Sequence, residues 1–108
     1  MSRPRDLVKG TLGLLILRTL ELQPRHGVAI ADRIAQITRG TFQVKAGSLF
    51  PALHRLEDEG AIAGEWIVAD GKRTKAYRLT AAGRRQLAAE RRDWQRVVEA
   101  MGLALESE

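Results

Sequence analysis

The sequence contains no cysteine, and only 5% of its residues are aromatic. The absence of cysteine excludes disulfides, thiol catalysis and thiolate metal sites, and it is compatible with a reducing intracellular compartment. The low aromatic content argues against an RNA-binding sheet on which bases stack. Neither of the two histidines has the carboxylate spacing of a metal site. No Ser/His/Asp set, glycine-rich phosphate loop or carboxylate pair is present, so we expect neither an enzyme nor a bound cofactor.

Long hydrophobic runs are also missing. The most apolar stretch, residues 12–22, is too short to cross a bilayer and is interrupted by Arg18 and Glu21. We therefore expect a cytoplasmic protein that does not associate with membranes.

Positive charge is what the composition has in excess. The 108 residues carry 18 Lys and Arg against 13 Asp and Glu, and the isoelectric point is near 10.4. This balance favours a polyanionic partner or an acidic membrane surface; the alternative is a basic protein without such a partner. The length predicts a single domain, with room for an appendage.

The N-terminal half predicts three helices. A basic arm at residues 2–6 precedes a first helix over 7–22 that is apolar on more than one face, so it is buried on two sides. The second helix, over 28–39, has Ile30, Ile34 and Ile37 on one stripe and ends at Gly40. A short β-prone stretch at 41–44 leads to the third.

The third helix organises the chain, and it runs to Gly60, which supplies a left-handed stop. Leu49, Leu53 and Leu56 form its apolar stripe. Pro51 is tolerated only in the first turn, so the helix begins close to Gly47.

The start of this helix is a candidate phosphate site. Gly47 or Ser48 is predicted to cap it, and Lys45 and free backbone N–H groups converge there.

After the third helix the apolar residues recur at every second position, which is typical of a strand. Residues 61–69 and 74–79 are predicted to be strands of a hairpin, separated by a turn at 70–73 that contains Asp-Gly. Tyr77 and Leu79 share a face toward the core and Arg78 points away, while Trp66 is expected to be core or hairpin support. The tip of the hairpin is predicted to be cationic, with Lys72, Arg73 and Lys75.

The last helix, over residues 81 to about 105, is capped by Thr80 and is longer than so small a domain needs for its own core. Its apolar residues keep a seven-residue pattern, which favours pairing with another helix. The residues of this seam are Leu87, Trp94, Val98, Met101 and Leu105.

These elements predict a mainly α (α+β) protein with a winged helix-turn-helix fold and a long C-terminal dimerisation helix. Residues 1–79 form the DNA-binding domain and residues 80–108 the dimerisation helix.

Three motifs in the right order resemble those of the PadR family of bacterial transcriptional regulators. Residues 47–60 read GSLFPALHRLEDEG and resemble that family's G-S-L-Y-P-x-L-x-R-L-E-x-x-G; residues 26–30 read HGVAI, and residues 77–83 read YRLTAAG. Trp94 stands where the family often has a tryptophan. The sequence departs from the pattern at Phe50, where the family has Tyr, and at Ala76, where a second aromatic is common. The single short C-terminal helix resembles the smaller of the family's architectures.

The resemblance implies a homodimeric repressor that binds operator DNA and, in many members, releases it when a small hydrophobic compound binds. Two third helices would enter successive major grooves of a palindromic operator, about 34 Å apart.

Candidate contacts to double-stranded DNA lie on the third helix and the hairpin. They are Lys45, Gly47, Ser48, Phe50, Pro51, His54, Arg55, Lys72, Arg73, Thr74 and Lys75. Several of these residues have an alternative interpretation that does not involve DNA. In these alternatives Phe50 packs at the core edge, Arg55 pairs with Glu59, and the hairpin cations are only solvated. Arg3 and Arg5 of the arm are further candidates, or belong to a disordered terminus.

The candidate residues for the dimer interface and for a small hydrophobic or aromatic effector are the C-terminal seam, namely Trp94, Leu87, Val98, Met101 and Leu105, together with Leu15. Trp94 either lines an effector cleft between subunits or packs the dimer. An alternative for the whole protein is a winged-helix module that binds another protein; the exposed cations of the third helix and hairpin argue against it.

Overall fold

The computed structural model describes the backbone of residues 4–108 and the side chains of residues 11–108. Within this range lie four helices and three short strands. They are α1 (Pro4–Thr19), β1 (Arg25–His26), α2 (Gly27–Ile37), α3 (Ala46–Asp58), β2 (Ile62–Ala69), β3 (Lys72–Leu79) and α4 (Ala81–Glu106).

The first helix is buried on two sides, as its composition predicts. Leu12, Ile16 and Leu17 lie in the core, and other residues of α1 contact α4. The helix ends at Thr19, before the predicted end at Leu22. The predicted arm is wrong for residues 4–6, because α1 already begins at Pro4. Ser2, Arg3 and the side chain of Arg5 lie outside the described residues.

The region around α2 differs from the prediction in two ways. Ile30 and Ile34 are fully buried, but Ile37 is 41% exposed and α2 ends there, before the positive φ of Arg39 and Gly40. Residues 41–44 are not a strand. Instead the hydroxyl of Thr38 accepts a hydrogen bond from the backbone N–H of Phe42.

The α3 helix begins and ends by different means. Its N-cap is Lys45, which forms no side-chain capping bond, so the predicted capping by Gly47 or Ser48 is wrong. Pro51 is the sixth residue of α3 rather than a first-turn residue. At the other end Gly60 adopts a φ of 79°, and the backbone N–H groups after Glu59 turn back onto α3, as in a Schellman motif.

The three strands form an antiparallel sheet in the order β1-β3-β2. Ala69 pairs with Lys72, so the turn contains only Asp70 and Gly71, both with positive φ (52° and 74°). These angles are those of a type I′ turn. Lys72 therefore begins β3 instead of belonging to a four-residue turn, and Arg73 follows it within the strand. The two-residue β1, which the sequence does not predict, pairs with Tyr77 and Ala76.

The core lies where α1, α2 and α3 meet the inner face of the sheet. Its largest fully buried side chains are Ile16, Leu17, Leu20, Ile30, Ile34, Leu53, Leu56 and Ile62. Tyr77 and Leu79 face this core and Arg78 is exposed, as the alternation predicts.

The last helix is anchored at its start and projects at its end. The Thr80 hydroxyl accepts from the N–H of Gly83 at 3.0 Å and donates to the carbonyl of Gly60 at 2.6 Å. Leu87 is buried in the core. Every residue of α4 from Arg91 onward is exposed, and the molecule measures 60 × 27 × 22 Å. The second half of α4 therefore lies outside the core of its own chain.

Candidate nucleic-acid interface

The outer face of α3 faces the hairpin. While Leu49, Leu53 and Leu56 are buried, Phe50 and His54 lie one turn apart on the exposed side. Together with the hairpin and the start of α2 they enclose a cleft of about 360 Å³, which we call the wing cleft. The residues that line the wing cleft are His26, Gly27, Val28, Phe50, His54, Trp66, Arg73, Thr74, Lys75 and Tyr77. No carboxylate is among them, so the wing cleft suits an anion.

Phe50 joins α3 to α2 at the floor of the wing cleft. A Cβ atom added at Gly27 would lie 3.1 Å from Phe50 Cε1, so the absence of a side chain at Gly27 lets the ring pack closely. Phe50 nevertheless stays 40% exposed. The predicted packing of Phe50 at the core edge is therefore present, and its contact with DNA stays a prediction.

His26 holds the start of α2. Its Nδ1 accepts a hydrogen bond from the backbone N–H of Ala29 at 3.3 Å. A neutral imidazole that accepts at one nitrogen carries its hydrogen on the other. The Nε2–H of His26 is then a donor at the rim of the wing cleft.

Of the two positions expected for Trp66, the core is wrong, and the residue lies on the hairpin. It is 56% exposed and pairs across the hairpin with Lys75. The guanidinium of Arg73 lies over its ring, 4.7 Å from the centroid. This distance is within the range of a cation–π interaction.

Lys75 is bound to α3 rather than held at the hairpin tip, where the sequence predicts it. Its Nζ donates to Glu57 Oε1 at 2.9 Å. A Cβ atom at Gly64 would collide with the Lys75 side chain and lie 2.9 Å from Glu57 Oε2, so the pair occupies the space that a side chain at Gly64 would take. The hydrogen bond to Glu57 raises the pKa of Lys75 above its ordinary value.

Desolvation by burial raises the pKa of the neighbouring Tyr77 phenol.

The remaining candidates of α3 and the hairpin lie outside the wing cleft. Lys45, Gly47, Ser48 and Pro51 form the exposed N-terminal end of α3. Lys72 is exposed next to the turn.

The side chain of Arg55 extends toward α1. Its Nη2 lies 3.7 Å from the position of a Cβ atom at Gly13 of α1, and its Nε is 3.9 Å from Glu59. The alternative pairing with Glu59 is therefore present as a long, exposed ion pair.

A second surface lies on α4. Trp94 lines a shallow hollow of about 200 Å³ with Val97, and the other lining residues are Thr11, Leu14, Glu90 and Asp93. Val98, Met101 and Leu105 are exposed. The prediction that Leu87 belongs to the same seam is wrong. This residue is only 2% exposed and belongs to the core of its own chain. Leu15 is partly buried against that core.

Sequence reasoning did not include His26 or Trp66 among the candidate DNA contacts. His26 was considered as a metal ligand and as part of a family motif, although a histidine directly before a helical Gly-Val-Ala-Ile stretch is in a capping position. Trp66 was expected in the core or as support for the hairpin, not as a residue of the interface. Its pairing with a cationic strand indicates the exposed position instead.

The comparisons with known proteins agree with this geometry. A family model described as "Transcriptional regulator PadR-like family" matches residues 16–89. "Transcriptional regulator Rv3488" of Mycobacterium tuberculosis is 34% identical over 88 residues, which are 82% of this chain and 79% of that protein. The chain belongs to the PadR family of transcriptional regulators.

Solved structures of the PadR family have the same fold. A PadR family transcriptional regulator from Eggerthella lenta has a TM-score of 0.83 at 32% identity, covering 96% of this chain and 89% of that one. A PadR-like transcriptional regulator from Bacillus cereus has a TM-score of 0.82 at 25% identity, covering 95% and 99%. The predicted winged helix-turn-helix fold is thus confirmed.

Membership of the PadR family makes this protein a DNA-binding transcriptional regulator and not an enzyme. PadR regulators typically dimerise. Within residues 4–108 no helix is long and apolar enough to cross a membrane. In the same part of the chain no group of three or more His, Asp or Glu side chains could hold a metal ion.

Proposed function

We propose that this PadR-family protein is a homodimeric repressor that binds a palindromic operator in the cytoplasm and is released by a small hydrophobic or aromatic ligand. Repression follows from steric occlusion of a promoter by the bound dimer. Each subunit places its α3 in a major groove and its hairpin beside it, and the two α3 helices lie about 34 Å apart.

The observation that carries the proposal is the exposed apolar stripe on the second half of α4. Trp94, Val97, Val98 and Met101 are each 41–58% exposed, and none of them lies in the core cluster of the described residues. An exposed apolar stripe of this kind is stabilised when a second helix covers it. A second copy of the same chain supplies that helix with two-fold symmetry.

The DNA side of the proposal rests on two exposed cationic features. The N-terminal end of α3 presents Lys45 beside Gly47 and Ser48, where helix N–H groups favour a phosphate. The hairpin presents Lys72 and Arg73. We propose His54 and Phe50 as additional contacts, because they line the wing cleft between these features.

The ligand part of the proposal rests on the hollow beside Trp94. One carboxylate oxygen of Glu90, Oε2, is buried there without a hydrogen-bond partner among the described residues. A buried acceptor of this kind needs a donor, which the second subunit or a ligand supplies. Because Trp94 presents its ring to the same hollow, a planar aromatic compound fits the surface.

The operator is identified by incubating the purified protein with sheared genomic DNA and sequencing the fragments it retains. We expect a few fragments with a two-fold symmetric protected region, and reduced transcription from the adjacent promoter when the protein is added. A duplex RNA of the same sequence should compete poorly. If no genomic duplex is preferred over any other, the protein-interaction alternative gains support and the repressor proposal fails.

The ligand is tested with Trp66→Phe, which leaves Trp94 as the only tryptophan. Aromatic compounds are titrated while tryptophan emission and operator binding are both followed. We expect at least one compound to change the emission and release DNA. A broad panel without any change in emission would rule out ligand binding at Trp94.

A further inference from the structure

Two cations of the hairpin, Arg73 and Lys75, lie over the ring of Trp66, at 4.7 and 6.0 Å from its centroid. Of these two, only Lys75 is also paired with a carboxylate, Glu57. We propose that Arg73, held in place on the ring of Trp66, binds a phosphate of the DNA strand that lies in the wing cleft, whereas Lys75 holds the hairpin to α3 and binds no phosphate. This inference rests on the proposed function and adds Trp66 to the DNA interface as a positioning residue.

Arg73 has the surroundings of a prearranged phosphate ligand. Its guanidinium lies over Trp66, and among the described residues it forms no ion pair. Stacking occupies only the flat face of the group, so its N–H donors remain free at the edges. Because the ring already restricts the long side chain, less conformational entropy is lost when a phosphate binds.

Lys75 is two residues further along the same face of β3, yet its charge is already compensated. Its Nζ is 2.9 Å from Glu57 Oε1, and both side chains are about three-quarters buried. To bind a phosphate, Lys75 would have to leave a carboxylate that stays behind without its partner. The cost of that exchange favours the existing pair.

The rest of the wing cleft suits the backbone of a DNA strand. His26 has an N–H at the rim, since its Nδ1 is engaged at the start of α2, and His54 faces the cleft from α3. Phe50 and Val28 form an apolar part of the cleft wall, against which a deoxyribose can pack. A phosphodiester offers this combination of a negatively charged group and an apolar sugar.

The test measures how operator affinity depends on salt, because each phosphate contact that is lost reduces the slope. Arg73→Gln should reduce the slope by about one ion per subunit, or about two per dimer. The matched control is the double variant Glu57→Gln with Lys75→Gln, which removes a neighbouring cation without changing the net charge. We expect this control to keep the wild-type slope.

Trp66 is tested separately, as a residue that acts through Arg73. Trp66→Leu should weaken operator binding about 5-fold to 30-fold, as expected when the cation–π contact with Arg73 is lost twice per dimer. It should have almost no effect when Arg73 is already Gln, and Trp66→Phe should retain most of the affinity. Because Trp66 is half-exposed, the urea midpoint of these variants should match that of the wild type.

Fluorescence gives an independent measurement. In Trp94→Phe the only remaining tryptophan is Trp66, and operator DNA should change its emission. The inference fails if Arg73→Gln keeps the wild-type slope, if the Glu57/Lys75 control loses as much slope as Arg73→Gln, or if Trp66→Leu weakens the Arg73→Gln variant equally. In each of these cases wild-type binding still supports the proposed function. If the wild type prefers no duplex at all, the proposed function fails first.

Discussion

At the scale of single residues, two glycines show how tightly neighbouring elements approach. Gly83, in the first turn of α4, leaves room for the backbone carbonyl of Ala61 and for Leu79. Gly102, about five turns beyond it on the same helix, has nothing within 4 Å of the position of a Cβ atom. The same substitution at these two sites therefore tests packing and helix propensity separately.

We predict that Gly83→Ala lowers the free energy of unfolding by about 1–3 kcal/mol, because the added methyl group forces α4 away from the sheet. Gly102→Ala should instead leave it unchanged or raise it by up to about 1 kcal/mol, the usual gain of alanine over glycine within a helix. Urea unfolding at equal protein concentration measures both. Equal effects at the two sites would contradict the close approach at Gly83.

A second residue-scale feature is the ion pair that joins the hairpin to α3. The hydrogen bond from Lys75 to Glu57 raises the pKa of Lys75 above 10.5. A raised pKa means that the folded protein binds this proton more tightly than the unfolded chain. The stabilisation is therefore fully present below pH 10.5 and is lost only as the pH rises through the raised pKa.

We predict that Glu57→Lys lowers the melting temperature, because it places two cations together between α3 and the hairpin, and that adding Lys75→Glu restores most of the loss. The control is Asp58→Lys, an equal change of charge at the next residue, which is exposed. Thermal unfolding followed by circular dichroism distinguishes these variants. A control that loses as much as Glu57→Lys would show that net charge, rather than the pair, is responsible.

At the scale of elements, α4 combines two different tasks along 26 residues. Its first two turns complete the core of the winged domain, where Leu87 is buried. From Arg91 onward it presents apolar side chains to solvent. The boundary between the two parts lies inside a continuous helix, so no linker separates the domain from its proposed dimerisation surface.

We predict that Leu87→Ala and Trp94→Ala affect different measurements. Leu87→Ala should reduce the free energy of unfolding by about 2–5 kcal/mol, the usual cost of a cavity in a core. Trp94→Ala should mainly raise the dimer dissociation constant, with a cost below the roughly 3–5 kcal/mol of a fully packed tryptophan because its surroundings are open.

Sedimentation at several concentrations measures the dimer, and urea unfolding measures the core. The division of α4 into two parts is wrong if Trp94→Ala leaves dimer dissociation unchanged. It is also wrong if Leu87→Ala affects dimer dissociation without affecting unfolding.

At the scale of the whole molecule, the net charge and the shape both suit the proposed binding of DNA by a dimer. The chain carries a net charge of +5 and has an elongated form of 60 × 27 × 22 Å. In the proposed dimer the long axis of α4 connects two winged domains, so the charges of both subunits act on one DNA duplex. Release of counterions from that duplex then supplies most of the affinity.

We predict a steep dependence of operator binding on salt. With about four cationic contacts per subunit, a dimer makes roughly eight, and affinity should fall by about 10³–10⁵ between 50 and 200 mM salt. Titrations of the operator at four or more salt concentrations give the slope. A nearly flat response would refute the electrostatic account of binding.

The sequence by itself determined the features that depend on a few neighbouring residues. The left-handed stop at Gly60, the presence of a hairpin turn at Asp70-Gly71 and the cap by Thr80 each arise from hydrogen bonds and φ angles within one short segment. For this reason the motifs and their order were enough to predict the fold class and the family. The length of that turn was not predicted correctly, because Lys72 already pairs with Ala69.

Only the tertiary structure decided which residues share a surface. The pairing of Lys75 with Glu57, the exposed position of Trp66 and the closure of the wing cleft by His26 join segments far apart in the chain. Leu87 and Trp94 belong to one periodic pattern, yet the packing of α4 against the core separates them. Periodicity records which residues are apolar, but the partner that covers each one depends on how distant elements pack.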